Sequence, residues 1–136
     1  MKPVVLFRIA AVIFVLFAIG HTIGFLTFTP PTAEGLAVRD SMKSVNFTVK
    51  GTTFSYGRFY EGFGLSATVS MLFQAFLAWQ LGSLVASGVK GLRPIAWVFC
   101  AVQVAGFVLS WIYFSIVPAS FSLVLVAILG WAAWLI

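Results

Sequence analysis

The sequence predicts an all-α membrane protein: an antiparallel bundle of four transmembrane helices, with an ordered outer loop between helices 1 and 2. Of the 136 residues, 62% are hydrophobic and 8% are charged, and the mean hydropathy is +1.11. Soluble domains carry about a quarter charged residues, so much of this surface must face lipid. Four apolar runs reach the ~20 residues that a membrane helix needs. Backbone N–H and C=O groups in lipid must form hydrogen bonds with one another, which favours helices.

The helix boundaries follow from the apolar runs and from the residues that interrupt them. Pro30 and Pro31 end the first run because they lack a backbone donor. Pro118 is placed near the first turn of the last helix, where no donor is needed. We predict one membrane domain, residues 1–136, with helices at about residues 4–28, 56–86, 94–114 and 118–136 and an outer loop at 29–55.

The first apolar run is interpreted as an uncleaved membrane helix. Lys2 and Arg8 lie at its start, and the small residues around Gly20 imitate a signal-peptide cleavage site. The run continues to Phe28, however, which makes it long enough to span a bilayer. We therefore expect this segment to remain part of the protein.

Basic residues next to the helices predict the orientation. Lys2 and Arg8 fall on the same side as Lys90 and Arg93, which favours cytoplasmic N- and C-termini. Four other cations oppose this orientation, because they lie on the opposite side, dispersed over the outer loop and the start of the second helix. They are Arg39, Lys43, Lys50 and Arg58. The predicted location is the bacterial cytoplasmic membrane.

The outer loop has two patterned segments. Val38, Met42 and Val45 recur at helical spacing among charged residues, which indicates a short amphipathic helix at the membrane surface. The following sequence, VNFTVKG, alternates apolar and polar residues with the period of a strand. Together they would form a lid over the outer end of the bundle.

Small and amide side chains are candidates for contacts between the helices. Glycine and serine recur at four-residue intervals, which permits close backbone approach in lipid. The positions are Gly20 and Gly24 in the first helix, Gly62, Ser66 and Ser70 in the second, and Gly106 and Ser110 in the third. We expect the first helix to pack on the second, and Gln74, Gln80 and Gln103 to form hydrogen bonds between helices.

His21 and Glu61 are the ionisable residues placed inside apolar segments. In an antiparallel pair they approach the same end of helices 1 and 2, where a His–Glu contact is plausible. Arg58 is the competing partner for Glu61, because it lies one helical turn away. The catalytic candidates are His21, Glu61 and Tyr60. The ligand-binding candidates are His21, Tyr56, Arg58, Tyr60 and Glu61.

The sequence predicts neither a cofactor nor a metal. One histidine cannot supply both axial ligands of a bis-histidine haem, and His21 with Glu61 is too few ligands for zinc. Cys100, the single cysteine, is expected to be a buried core residue. The net charge of +5 comes from residues near helix ends and not from a basic stripe, so nucleic acid is not an expected partner.

Two motifs carry a resemblance to a family. GHTIGF (Gly20–Phe25) and RFYEGFGLS (Arg58–Ser66) resemble the pattern of small four-helix bacterial membrane proteins that have no known activity. The similarity covers most of the chain and implies a membrane location with four helices. Members often carry an acidic residue directly before the Phe-Tyr pair, where this chain has Arg58. Because no activity is known for such proteins, the resemblance carries no catalytic residue over to this sequence.

No complete catalytic or ligand set is present, so the leading hypothesis is a non-catalytic subunit or accessory component that packs against partners in the bilayer. The expected partners are the lipid bilayer and other membrane subunits or further copies of the chain. One alternative binds a lipid, quinone or sterol-like ligand, or transfers a proton, through His21 and Glu61. A weaker alternative is an oligomeric transporter or channel, since four such apolar helices cannot line a water path alone.

Overall fold

The computed structural model describes all residues, Met1–Ile136, and contains five helices and one β-hairpin. Their order is α1 (Pro3–Thr27), α2 (Ala33–Ser44), β1 (Asn46–Val49), β2 (Thr52–Ser55), α3 (Tyr56–Ala86), α4 (Arg93–Tyr113) and α5 (Ile116–Trp134). The four helices α1, α3, α4 and α5 are each long and apolar enough to cross a membrane, which indicates a multi-pass membrane protein. Their ends lie within two residues of the predicted positions.

Proline and polar caps account for the helix starts. Pro118 is the third residue of α5, inside the first turn, so its missing N–H removes no helical hydrogen bond. In α2 the Oγ1 of Thr32 accepts a hydrogen bond from the N–H of Gly35 at 3.1 Å. Glu34 in the first turn of α2 and Lys43 in its last turn complement the helix dipole.

The chain forms two compact units. The helical unit comprises Met1–Ala18 and Met71–Ile136, and the loop unit comprises Ile19–Ser70. All four long helices contribute to the core of the helical unit, where Phe7, Phe14, Leu125 and Leu129 are among its largest fully buried side chains. The single membrane domain and the antiparallel order of the helices stay predictions.

A hydrogen bond between amides joins two helices of the helical unit. Gln103 of α4 is buried, and its Nε2 donates to the Oε1 of Gln74 on α3. The predicted role of these two glutamines is therefore confirmed. Gln80 is exposed and forms no such bond. Cys100 is buried in the core, as predicted, with its Sγ 3.7 Å from the carbonyl oxygen of Val126.

The loop unit contains the predicted amphipathic helix, α2, and a hairpin of which only the first strand was predicted. β1 and β2 are antiparallel, with Phe47 opposite Phe54 and their ring centroids 4.5 Å apart. The turn consists of Lys50 and Gly51, whose φ angles are 48° and 83°. Two successive positive φ angles are typical of the tight turn that matches the twist of a hairpin.

Backbone and hydroxyl contacts connect the hairpin to α3 and α2. Ser55, the last residue of β2, is buried, and its Oγ accepts a hydrogen bond from the N–H of Arg58 at 3.2 Å. The N–H of Tyr56 donates to the carbonyl oxygen of Val45 at 3.2 Å. A Cβ atom on Gly57 would lie 3.2 Å from the carbonyl oxygen of Met42, so α2 approaches α3 closely here.

Candidate functional site

His21 forms a hydrogen bond to the second membrane helix, α3. Within the loop unit, its Nε2–H donates to the carbonyl oxygen of Gly64 at 3.1 Å. One turn further along α3, the hydroxyls of Thr22 and Thr68 share a hydrogen bond of 2.8 Å. The predicted contact between helices 1 and 2 is therefore confirmed, and polar groups form part of it.

An aromatic ring packs where α1 meets Gly64. The ring of Phe25 stacks on His21 with centroids 5.7 Å apart and contacts the ring of Tyr60 at 5.3 Å. A Cβ atom on Gly64 would overlap the ring of Phe25. Glycine is therefore needed at position 64 for this arrangement of the ring.

Four glycines that were predicted to form tight helix contacts form none within the chain. Outside its own helix backbone, no part of the chain lies within 4 Å of where a Cβ atom would be at Gly20, Gly24, Gly62 or Gly106. The prediction of tight contacts at these positions is therefore wrong within the chain. On α3 the physical reason is rotation about the helix axis, because Gly62 is two residues from Gly64, the residue that bonds to His21, and points about 200° away from it.

The serines of α3 bond to their own helix. The Oγ of Ser66 donates to the carbonyl oxygen of Gly62 at 2.9 Å, and the Oγ of Ser70 donates to that of Ser66 at 2.9 Å. The Oγ of Ser83 donates in the same way to the carbonyl oxygen of Trp79 at 3.1 Å. These hydroxyls therefore donate within α3 and do not bond to another helix. The predicted packing role of Ser66 and Ser70 stays a prediction.

Glu61 is exposed and is bonded to neither of the partners that the sequence proposed. No hydrogen bond or ion pair joins its carboxylate to His21 or to Arg58. The guanidinium of Arg58 is likewise without a hydrogen bond or ion pair, although its backbone N–H bonds to Ser55. The site candidates thus include two exposed, unpaired charges.

The other two candidates, Tyr56 and Tyr60, form aromatic contacts. Tyr60 packs on Phe25, as described above, while the ring of Tyr56 lies 4.5 Å from that of Phe47 in the hairpin. The aromatic packing continues along α3, where the rings of Phe59 and Phe63 are 4.9 Å apart. The hairpin and the first turns of α3 therefore share one aromatic cluster.

An open groove of about 490 Å³ lies between the hairpin and this part of α3. The residues that line it are Thr52, Thr53, Phe54, Arg58, Phe59, Gly62, Phe63 and Ser66. Of the five ligand-binding candidates, only Arg58 is among them. Sequence reasoning missed the threonines and Phe54 because the second strand was not predicted, although a two-residue turn ending in Gly51 was a signal for it.

Two faces of α3 separate the candidates. Arg58, Gly62 and Ser66 recur at four-residue intervals along the groove. Tyr60, Gly64 and Thr68 follow the same interval along the face that contacts α1. A two-residue offset turns a helix by about 200°, so these faces are nearly opposite. The candidates do not converge on a single site.

The structure contains no group of three or more histidine, cysteine or acidic side chains placed to hold a metal ion. Comparison with protein-family models, with curated proteins and with solved structures finds no match to this chain. The resemblance to small four-helix membrane proteins accordingly stays a prediction.

Proposed function

We propose that the protein is a non-catalytic subunit or accessory component that packs against partner helices in the bilayer. The observation that carries this proposal is the free glycine face of α1. Gly20 and Gly24 have open space beside them, and the neighbouring Leu16 and Ile23 are 56% and 59% exposed. Small residues four apart let a second helix approach closely in lipid.

The proposed architecture is an antiparallel four-helix bundle with both termini in the cytoplasm of a bacterium and an ordered outer loop. The order of contacts between α1 and α3 supports the antiparallel arrangement. Phe25 follows Thr22 in α1, but its partner on α3, Tyr60, precedes Thr68, the partner of Thr22. Cation–π contacts support it as well: the Arg8 guanidinium lies 5.0 Å from the centre of the Trp79 ring. Arginine and tryptophan together are typical of a membrane interface.

The partner is another membrane subunit or a second copy of the chain. To test this, the native complex is extracted from the membrane in polymer-bounded nanodiscs, and its mass is compared with the 14.8 kDa of one chain. We expect a larger complex for the wild type. Gly20→Leu and Gly24→Leu should weaken association by about tenfold, which corresponds to ~1.4 kcal/mol.

Gly106→Leu is the matched control, since Gly106 also has open space beside it but lies on α4. This variant should retain the complex. A wild-type chain that leaves the membrane as a lone monomer would contradict the proposed role. So would a complex that survives both substitutions in α1.

A second candidate is ligand binding or proton transfer by His21 and Glu61, and the unpaired, exposed carboxylate of Glu61 favours it. It is the weaker proposal because the Nε2–H of His21 is engaged by Gly64. A bound quinone or sterol-like lipid that is lost in Glu61→Gln, with folding retained, would support it. An oligomeric channel would in addition require a water-filled path between copies of the chain.

A further inference from the structure

We propose that the groove beside Arg58 binds an anionic phospholipid, with the phosphate at the guanidinium and the start of an acyl chain along Phe59, Gly62 and Phe63. This site is separate from the glycine face of α1 and goes beyond the packing role. Each proposal can fail without the other. The volume of about 490 Å³ lies within the range of small-molecule sites.

Charge complementarity identifies the headgroup as anionic. Arg58 is the only charged residue that lines the groove, and its guanidinium has no carboxylate partner within the chain. The loop unit, Ile19–Ser70, carries four cations and three acids, one of them Glu61, so its net charge is +1. A guanidinium binds phosphate through two parallel hydrogen bonds and attracts anionic lipid more than a zwitterionic headgroup.

The lining changes from polar to apolar along α3, as an amphiphile requires. The hairpin contributes Thr52 to the same groove, and the hydroxyl of Thr52 has no partner within the chain. Further along α3 the walls are the rings of Phe59 and Phe63. The Ser66 hydroxyl already donates to backbone carbonyls, so this end of the groove offers little polarity to a ligand.

The length of α3 places Arg58 at a suitable depth. Its 31 residues extend for about 46 Å, whereas the hydrocarbon core is ~30 Å thick. The ends of α3 therefore extend into the headgroup layers. Arg58 is the third residue of the helix and lies at the level of lipid phosphates when the apolar part of α3 spans the hydrocarbon core.

The test measures lipid binding to the full chain in detergent by native mass spectrometry. The probes are dioleoyl phosphatidylglycerol, dioleoyl phosphatidylcholine and the water-soluble glycerol 3-phosphate. We expect the wild type to bind the anionic lipid about fivefold more tightly than the zwitterionic one. Arg58→Gln should abolish this preference, whereas Lys43→Gln, which removes a cation outside the groove, should retain it.

A second pair of variants tests the acyl part of the site. A Cβ atom at position 62 meets no other part of the chain, so Gly62→Leu can place its side chain in the groove and should reduce binding of both lipids. Gly106→Leu should leave the binding of both lipids unchanged. Equal affinity of the wild type for both lipids, or a preference that survives Arg58→Gln, would overturn the proposal. Binding of glycerol 3-phosphate as tightly as phosphatidylglycerol would also overturn it, since the groove would then be a site for free phosphate esters.

Discussion

The Nε2–H of His21 on α1 donates to the carbonyl oxygen of Gly64 on α3, 3.1 Å away. Gly64 is part of a helix, and a backbone carbonyl oxygen has two lone pairs. One lone pair serves the helix, and the second is available to His21. The only histidine of the chain thus connects two membrane helices.

We expect His21→Ala to lower the free energy of unfolding by about 1 kcal/mol, the usual range for a hydrogen bond between membrane helices. Unfolding is measured by steric trapping in lipid bicelles. Thr27→Val is the control, because the Thr27 hydroxyl donates only to Ile23 in its own helix. Equal stability of His21→Ala and the wild type would contradict a role for the bond.

Gly64→Ala and Gly62→Ala are predicted to have opposite effects on stability. A methyl group at position 64 displaces the Phe25 ring, which we expect to cost about 1–3 kcal/mol. A methyl group at position 62 meets open space, so the higher helix propensity of alanine should stabilise α3 by up to ~1 kcal/mol. Thermal unfolding in detergent compares the two variants.

The companion variant Phe25→Leu removes the ring that the new methyl group would meet. We expect Gly64→Ala to cost less in the Phe25→Leu background than in the wild type. Simple additivity of the two substitutions would show that the ring does not limit residue size at position 64.

The glutamine pair predicts a coupled effect on stability. Gln103→Leu leaves the amide of Gln74 without its partner and should cost about 1–2 kcal/mol. The double variant Gln74→Leu/Gln103→Leu should cost less than the two single variants together, because neither amide then remains. Gln80→Leu is the control, since Gln80 is exposed. A double-mutant cycle on unfolding free energies that shows no coupling would contradict the bond.

The hairpin turn predicts a local effect. Gly51 has a φ of 83°, so Gly51→Ala should destabilise the hairpin by about 1 kcal/mol. Lys50→Asn should stabilise it by a few tenths of a kcal/mol, since asparagine tolerates the φ of 48° better than lysine. Amide hydrogen exchange of Asn46–Ser55 measures both effects. Unchanged exchange in Gly51→Ala would contradict this turn geometry.

The long helices could be predicted from the sequence because apolar length and proline act locally. The ~20-residue runs and the breaks at Pro30, Pro31 and Pro118 determine the helix boundaries without reference to other parts of the chain. The second strand was not predicted, because Lys50 is a residue that seldom adopts a positive φ and so obscures the turn.

The site was harder to predict than the helices. Knowing that α1 meets the start of α3 does not determine which side of α3 faces it. Three residues turn a helix by about 300°, so Glu61 and Gly64 are only about 60° apart around the axis of α3. A small error in the rotation of α3 therefore exchanges Gly64 for Glu61 as the predicted partner of His21. Tertiary packing of Phe25 on Gly64 determines that rotation, and no local pattern encodes it.

The self-bonded serines of α3 have a consequence for membrane insertion during synthesis. This helix has the lowest mean hydropathy of the four, 1.5, and hydroxyls contribute to that value. Since Ser66, Ser70 and Ser83 donate to carbonyls four residues earlier, their desolvation is compensated inside the segment itself. These three hydroxyls therefore need no neighbouring helix when α3 enters lipid, whereas the amide of Gln74 gains its partner only when Gln103 of α4 is in place.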